Sequence, residues 1–197
     1  ERRVDERTRE LREQVTERER SERLQAALFR IAEQAGRSES IEVFYAEVHG
    51  IVSALLDARN FFIALLTDDG KELDFPYSVD ERDQKRPRRR LAKGLTEYVL
   101  ASGQPLLADR NAIHDLVSEG KVQSFGTPSV CWLGVPLHLA GKAAGVIAVQ
   151  SYTPDYLYTR RDQELLSFVS FHIAQALERR QANESLRHAE QVGEWIT

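Results

Sequence analysis

Two apolar runs joined at a glycine, WLGVPLHLAGKAAGVIAVQSY (132–152), constrain this chain more than any other stretch of it. Leu133, Val135, Leu137 and Leu139 alternate with Trp132, Gly134, Pro136 and His138, the period of a strand with one buried face. After Ala140-Gly141-Lys142-Ala143, a second run places Val146, Ala148, Gln150 and Tyr152 on one face and Ile147 and Val149 on the other. A strand that is apolar on both sides belongs in the middle of a sheet. Gly141 can take the positive φ that a tight hairpin demands. The stretch predicts the core hairpin of an antiparallel sheet, and the rest of the chain must supply its cover.

With 197 residues, 42% of them hydrophobic, the chain can hold one ordinary domain plus extensions. A net charge of −4 gives no general pull toward nucleic acid, so no nucleic-acid partner is expected. A single cysteine excludes an internal disulfide framework and a multi-cysteine zinc site, and fits a reducing, cytoplasmic setting. No apolar run approaches the ~20 residues of a membrane span, and no signal peptide is visible. A chain that starts at Glu1 and holds no methionine reads as a piece excised from a longer protein.

Residues 1–23 are nearly all charged, with Val4, Leu11 and Val15 the only large apolar side chains. From there the seam thickens through Leu24, Ala27, Leu28, Ile31 and Ala35, with Gly36 as a stop. This reads as one long helix whose second half packs on the domain; a disordered charged tail over residues 1–15 is the alternative. Ser38 or Ser40 opens a second helix with Ile41, Phe44, Val48, Val52 and Leu55 on one face. NFFIALL (60–66) and ELDFPYSV (72–79) flank a Thr67-Asp68-Asp69-Gly70-Lys71 turn, and Leu73, Phe75, Tyr77 and Val79 are expected to share a face. DERDQKRPRRR (80–90) reads as a polar loop. A short helix from about Leu95 to Ser102, a strand at 105–108, and a second short helix capped by Asn111 and stopped by Gly120 come next. Thr159-Arg160-Arg161-Asp162 forms a capping-box pattern ahead of a long helix with the seam Leu166, Val169, Ile173, Ala176 and Leu177. Helices around an antiparallel sheet make an α+β domain.

Taken together, FFIALLTDDGKELDFPY, KGLTEYVLASGQPLLA, SVCWLGVPLHLAGKAAGVIAVQSY and YTRRDQELLSFVSFHIAQALERR resemble a GAF domain of a bacterial signalling protein, from about Leu24 to Arg187. The resemblance is to the modules found upstream of histidine kinases, GGDEF cyclases and EAL phosphodiesterases. It implies a PAS-related, six-stranded antiparallel sheet with long N- and C-terminal helices on one face and short helices over the other. It further implies a signalling helix at 1–36, a core at 37–158, and a C-terminal signalling helix at 159–197 that leads into an output domain. Homodimerisation through the terminal helices is implied too, with Leu24, Leu28, Ile31, Leu166, Val169, Ile173 and Leu177 as interface residues. A small-molecule pocket would lie on the opposite side. The family takes cyclic nucleotides, bilins, haem and other molecules, so no cofactor is named.

Specific chemistry finds few handholds. Tyr158 and Asp162 match two positions of a cyclic-nucleotide signature, but Gln163 replaces its glutamate and no Asn-Lys pair is present. Cys131 is followed by Trp132 rather than by the histidine common at bilin sites, and reads as a small buried residue. Reductases on this fold work through several cysteines, and this chain has one. The five histidines show no metal-ligand spacing, so no metal site is expected. Neither a G-x-S-x-G elbow nor a P-loop occurs. These absences lead to an expectation that the fragment is not an enzyme. The basic stretch Arg82–Lys93, diluted by Asp80, Glu81 and Asp83, reads as a solvated loop, with contact to an anionic ligand, nucleic acid or another domain as the lesser alternative. Candidate ligand-binding residues are Phe75, Tyr77, Tyr98, His114, Phe125 and Gln150, with Phe62 and Trp132 as pocket-or-core positions. A ligand-free relay between helices is the rival reading.

Overall fold

A computed structural model describes residues 2–83 and 85–194. Its centre is the hairpin β5 (Cys131–Leu139) and β6 (Lys142–Ser151). Ala140 and Gly141 form its turn with φ of 49° and 76°, the paired positive angles of a type I′ connection. That turn pairs Leu133 with Val149 and Val135 with Ile147. Strands β1 (Phe61–Leu66), β2 (Glu72–Val79), β3 (Arg89–Arg90) and β4 (Leu106–Asp109) complete a six-stranded antiparallel sheet in the order β3-β2-β1-β6-β5-β4. β6 lies at its middle, buried on both faces as its sequence demands.

One face is covered by α1 (Arg2–Arg37), α2 (Ile41–Ser53) and α5 (Arg160–Glu194). Ser40 caps α2 by accepting the Val43 N–H at 3.2 Å. Thr159 and Asp162 exchange side-chain-to-backbone hydrogen bonds at the start of α5, the capping box read in the sequence. Ser170, buried on α5, donates to the Pro136 carbonyl at 2.9 Å and fixes the helix on β5. The charged first part of α1 is helical from Arg2 onward, which replaces the disordered-tail alternative; its Val4, Leu11 and Val15 are exposed.

The seam residues expected to await a second copy are spent inside one chain. Ile31, Leu166, Val169, Ile173 and Leu177 are buried with Phe44, Val48, Leu133 and Ile147 in a single core, and Leu24 and Leu28 pack against it. The sheet did not have to cover these helices alone, because α1, α2 and α5 also cover one another. Each such side chain contributes about 1.5–3 kcal/mol through burial. Among the described residues, the large apolar side chains that α5 leaves exposed are Phe168, Phe171 and Leu186.

The opposite face carries a smaller cluster of Phe62, Ala64, Leu73, Val99, Trp132, Val146 and Ala148. Helix α3 (Leu95–Ser102) packs on β5 and β6 and stops at Gly103, whose φ of 63° makes the left-handed C-cap. Helix α4 (Arg110–Ser118) is capped not by Asn111 but by Asp109, which accepts the Ala112 N–H at 2.8 Å. The strand ends one residue later than its apolar run suggested, so the cap moves to the last strand residue.

Candidate functional site

Between this second face and the segment that follows β3 lies a cavity of about 570 Å³. Its floor is Phe62, Phe75 and Trp132, and its roof comes from the start of α3, from α4 through Ile113, His114 and Val117, and from residues 122–129. Trp132 can lie across the sheet because Gly134 leaves it no Cβ to climb over; any side chain there would occupy the indole's place.

The basic stretch, expected to be a solvated loop, forms one wall instead. Asp80, whose side chain is only 2% exposed, receives Tyr152 Oη at 2.8 Å, Gln150 Nε2 at 2.7 Å and the N–H groups of Arg82 and Asp83. Burial alone would raise this carboxyl. The Asp83 and Arg82 N–H groups, with Tyr152 and Gln150, outweigh it and hold Asp80 below the ordinary carboxylate range. Burial, reinforced by that same carboxylate, pushes the Tyr152 phenol well up. Arg86 pairs with Asp80 at 3.2 Å and lays its guanidinium over the Phe62 ring at 4.4 Å. Arg89 grips the buried Glu97 with both η nitrogens and stands over the Phe75 and Phe125 rings. Glu97 would be raised by its burial, but the Arg89 bonds and the Ala92 N–H bring its carboxyl below the usual value. Asp80 and Asp83 within the stretch, and Glu97 beyond it, are the carboxylates that hold it inward.

Of the six expected ligand-binding residues, Phe75, His114, Phe125 and Gln150 line the cavity. Gln150 does so with its amide already engaged by Asp80, Tyr152 and Ser129. Tyr77 does not line it. The β1–β2 register shifts between Ile63 and Leu65, so that Ala64 faces both Phe75 and Pro76. The alternation is broken there, and Tyr77 turns to the helix side, where its hydroxyl meets His49 Nδ1 at 2.8 Å. Tyr98 is also displaced: it follows Thr96 by two residues, about 200° around α3, and leaves the cavity to Leu95 and Thr96. Phe62 and Trp132, the pocket-or-core positions, are both buried and both line the cavity. Arg110 and Thr96 were missed as wall residues, and Arg86 and Arg89 were read as solvated.

The remaining motifs have structural roles. Tyr158 is buried and donates to the Asp57 carbonyl at 2.8 Å, while Asp162 serves the α5 cap. Cys131 is buried on the helix-covered face, away from the cavity, and burial pushes its thiol up. Among the described residues no group of three or more His, Cys, Asp or Glu is placed to hold a metal ion, and no helix is long and apolar enough to cross a membrane.

The family profile for the GAF domain matches residues 38–178. Among solved structures the chain is similar to the GAF domain of a putative sensor histidine kinase from Pseudomonas syringae pv. tomato, at 16% identity and TM-score 0.57, covering 88% of this chain and 97% of that one. It is similar to residues 122–287 of a methyl-accepting chemotaxis protein, at 15% identity and TM-score 0.63, covering 80% and 99%. It is similar as well to the free methionine-R-sulfoxide reductase of Neisseria meningitidis in complex with its substrate, at 15% identity and TM-score 0.63, covering 81% and 91%. No curated protein sequence matches it significantly. The last of these structures corrects the expectation of a chain without enzymatic activity. An enzyme carries this fold, so the fold by itself does not exclude catalysis.

Proposed function

The chain belongs to the GAF domain family, and from that premise we propose that it is a sensory module of a signalling protein that binds a small molecule over its sheet. The observation that carries this reading is the cavity of about 570 Å³, within the ~300–1,000 Å³ range of ligand pockets. A floor of Phe62, Phe75 and Trp132 supplies apolar contact, and a few polar groups at the wall supply orientation. The likeness to the GAF domain of a putative sensor histidine kinase and to a segment of a methyl-accepting chemotaxis protein supports the signalling context.

In this reading residues 1–36 form an input or dimer helix, 37–158 the sensor core, and 159–197 a helix leading to an output domain. That output is a histidine kinase or a cyclic-di-GMP enzyme, in a cytoplasmic parent protein. Occupancy of the cavity reaches α5 through the sheet, because β5 packs on α3 from one side and on α5 from the other. The protein works as a homodimer, with Phe168 and Phe171 of α5 against a second copy. A thermal-shift screen against metabolites tests the binding. At least one compound must stabilise the wild-type protein, and an Ile113→Trp variant, which fills the cavity, must lose that response. If no compound acts, the domain is a ligand-free relay.

A further inference from the structure

The charges around the cavity are one-sided. Its lining holds the cations Lys85, Arg86, Arg89 and Arg110 and a single carboxylate, Asp83. Asp83 is already taken by the Thr127 N–H at 3.1 Å and the Thr127 hydroxyl at 2.9 Å. Arg89 is neutralised by Glu97. Lys85 and Arg110 are exposed and have no ion-pair partner among the described residues. Arg86 bonds Asp80 through Nη2, while its buried Nε has no hydrogen-bond partner among the described residues. That Nε is closed to solvent, so a ligand meets the rest of the guanidinium, which lines the cavity with its side chain 21% exposed and can give charge-assisted hydrogen bonds to an anionic oxygen. Beneath these cations the floor is aromatic and flat, with the Trp132 indole lying along the sheet over Gly134.

We infer that the ligand class is a small aromatic monocarboxylate, its ring on Trp132 and Phe75 and its carboxylate toward Arg86 and Arg110. This inference rests on the sensory reading and specifies its ligand. A cation would meet the exposed, unpaired Lys85 and Arg110 of the lining, and an aliphatic anion would leave the aromatic floor unused. A multiply charged phosphate ester fits less well, since the four cations, set against the carboxylates Asp80, Asp83 and Glu97, leave a single net positive charge.

The test uses the 197-residue chain with Trp195→Phe, so that Trp132 is the one tryptophan reporting fluorescence, alongside calorimetry. Benzoate, its neutral isostere benzamide, and acetate are titrated. Benzoate is expected to bind roughly tenfold or more tighter than either of the others. Arg86→Gln and, as an exposed change that spares the Asp80 network, Arg110→Gln should each weaken benzoate far more than benzamide. Equal binding of benzamide overturns the anionic class and leaves the sensory reading standing. Equal binding of acetate overturns the aromatic part. No binding of benzoate at millimolar concentration to the folded protein overturns the inference outright, while hits of other chemistry in the metabolite screen would keep the sensory reading alive.

Discussion

The Asp83 carboxylate accepts hydrogen bonds from both the backbone N–H and the hydroxyl of Thr127, 44 residues away along the chain. This pair ties the basic wall of the cavity to its 122–129 roof. Gly126 beside it has a φ of 68°, and a Cβ there would stand 2.7 Å from the Asp83 carboxylate. Thr127→Val should therefore cost about 1–2 kcal/mol, leaving Asp83 with one bond fewer, and should speed ligand release. Hydrogen exchange is expected to rise in residues 80–90 and 122–129 while β5 and β6 stay protected.

Acid should act on the same wall. Asp80 and Glu97 have carboxyls held below their unfolded values, so each adds stability that is complete above the unfolded pKa of about 4. That stability disappears as pH falls through the lower folded values. Thermal unfolding followed from pH 7 to pH 3 should show Tm falling most steeply below about pH 4, and Asp80→Asn should flatten the fall. A Tm drop centred near pH 6 would point to histidine instead.

Much of the architecture was legible because it depends on local rules. The type I′ hairpin at Gly141, the Gly103 stop of α3, and the Thr159–Asp162 capping box are short-range chemistry, and the period-two pattern of β5 and β6 assigns their faces directly. The site was only half legible. Phe75 and Tyr77 lie two residues apart on an apparently regular strand, and only the register shift at Pro76 puts them on opposite faces. The inward turn of Arg86 and Arg89 depends on Tyr152, Gln150 and Glu97, partners remote in sequence, so charge counting along residues 80–93 saw a solvated loop. The buried state of Ile173 likewise followed from three helices covering one another, which no single helical seam reveals.

Tyr77 offers a control for the cavity. The Ala58 carbonyl can only accept, so His49 Nε2 donates to it at 2.6 Å; in the neutral ring Nδ1 then accepts from Tyr77 Oη. Tyr77→Phe should cost about 1 kcal/mol by leaving that nitrogen without its donor. It should leave ligand affinity unchanged, as measured by the same thermal-shift compounds. Loss of binding would put Tyr77 back on the site side.

The dimer proposal makes a two-way prediction. Phe168→Glu with Phe171→Glu alters residues that are 49% and 58% exposed in one chain, so light scattering should show a folded monomer. Ile173→Glu places a charge at a fully buried position and should cost several kcal/mol, unfolding the domain rather than separating copies. A wild-type monomer at high micromolar concentration would remove the dimer.

The central claim is a ligand seated between the sheet and α3–α4, and an amide-shift titration by NMR with the strongest compound from the thermal-shift screen tests it most directly. The largest changes should fall at Phe62, Phe75, Thr96, Ile113 and Trp132, with Tyr77 and Cys131 on the opposite face nearly unmoved. Shifts centred on Tyr77, Cys131 and α5, with the cavity residues silent, would contradict it.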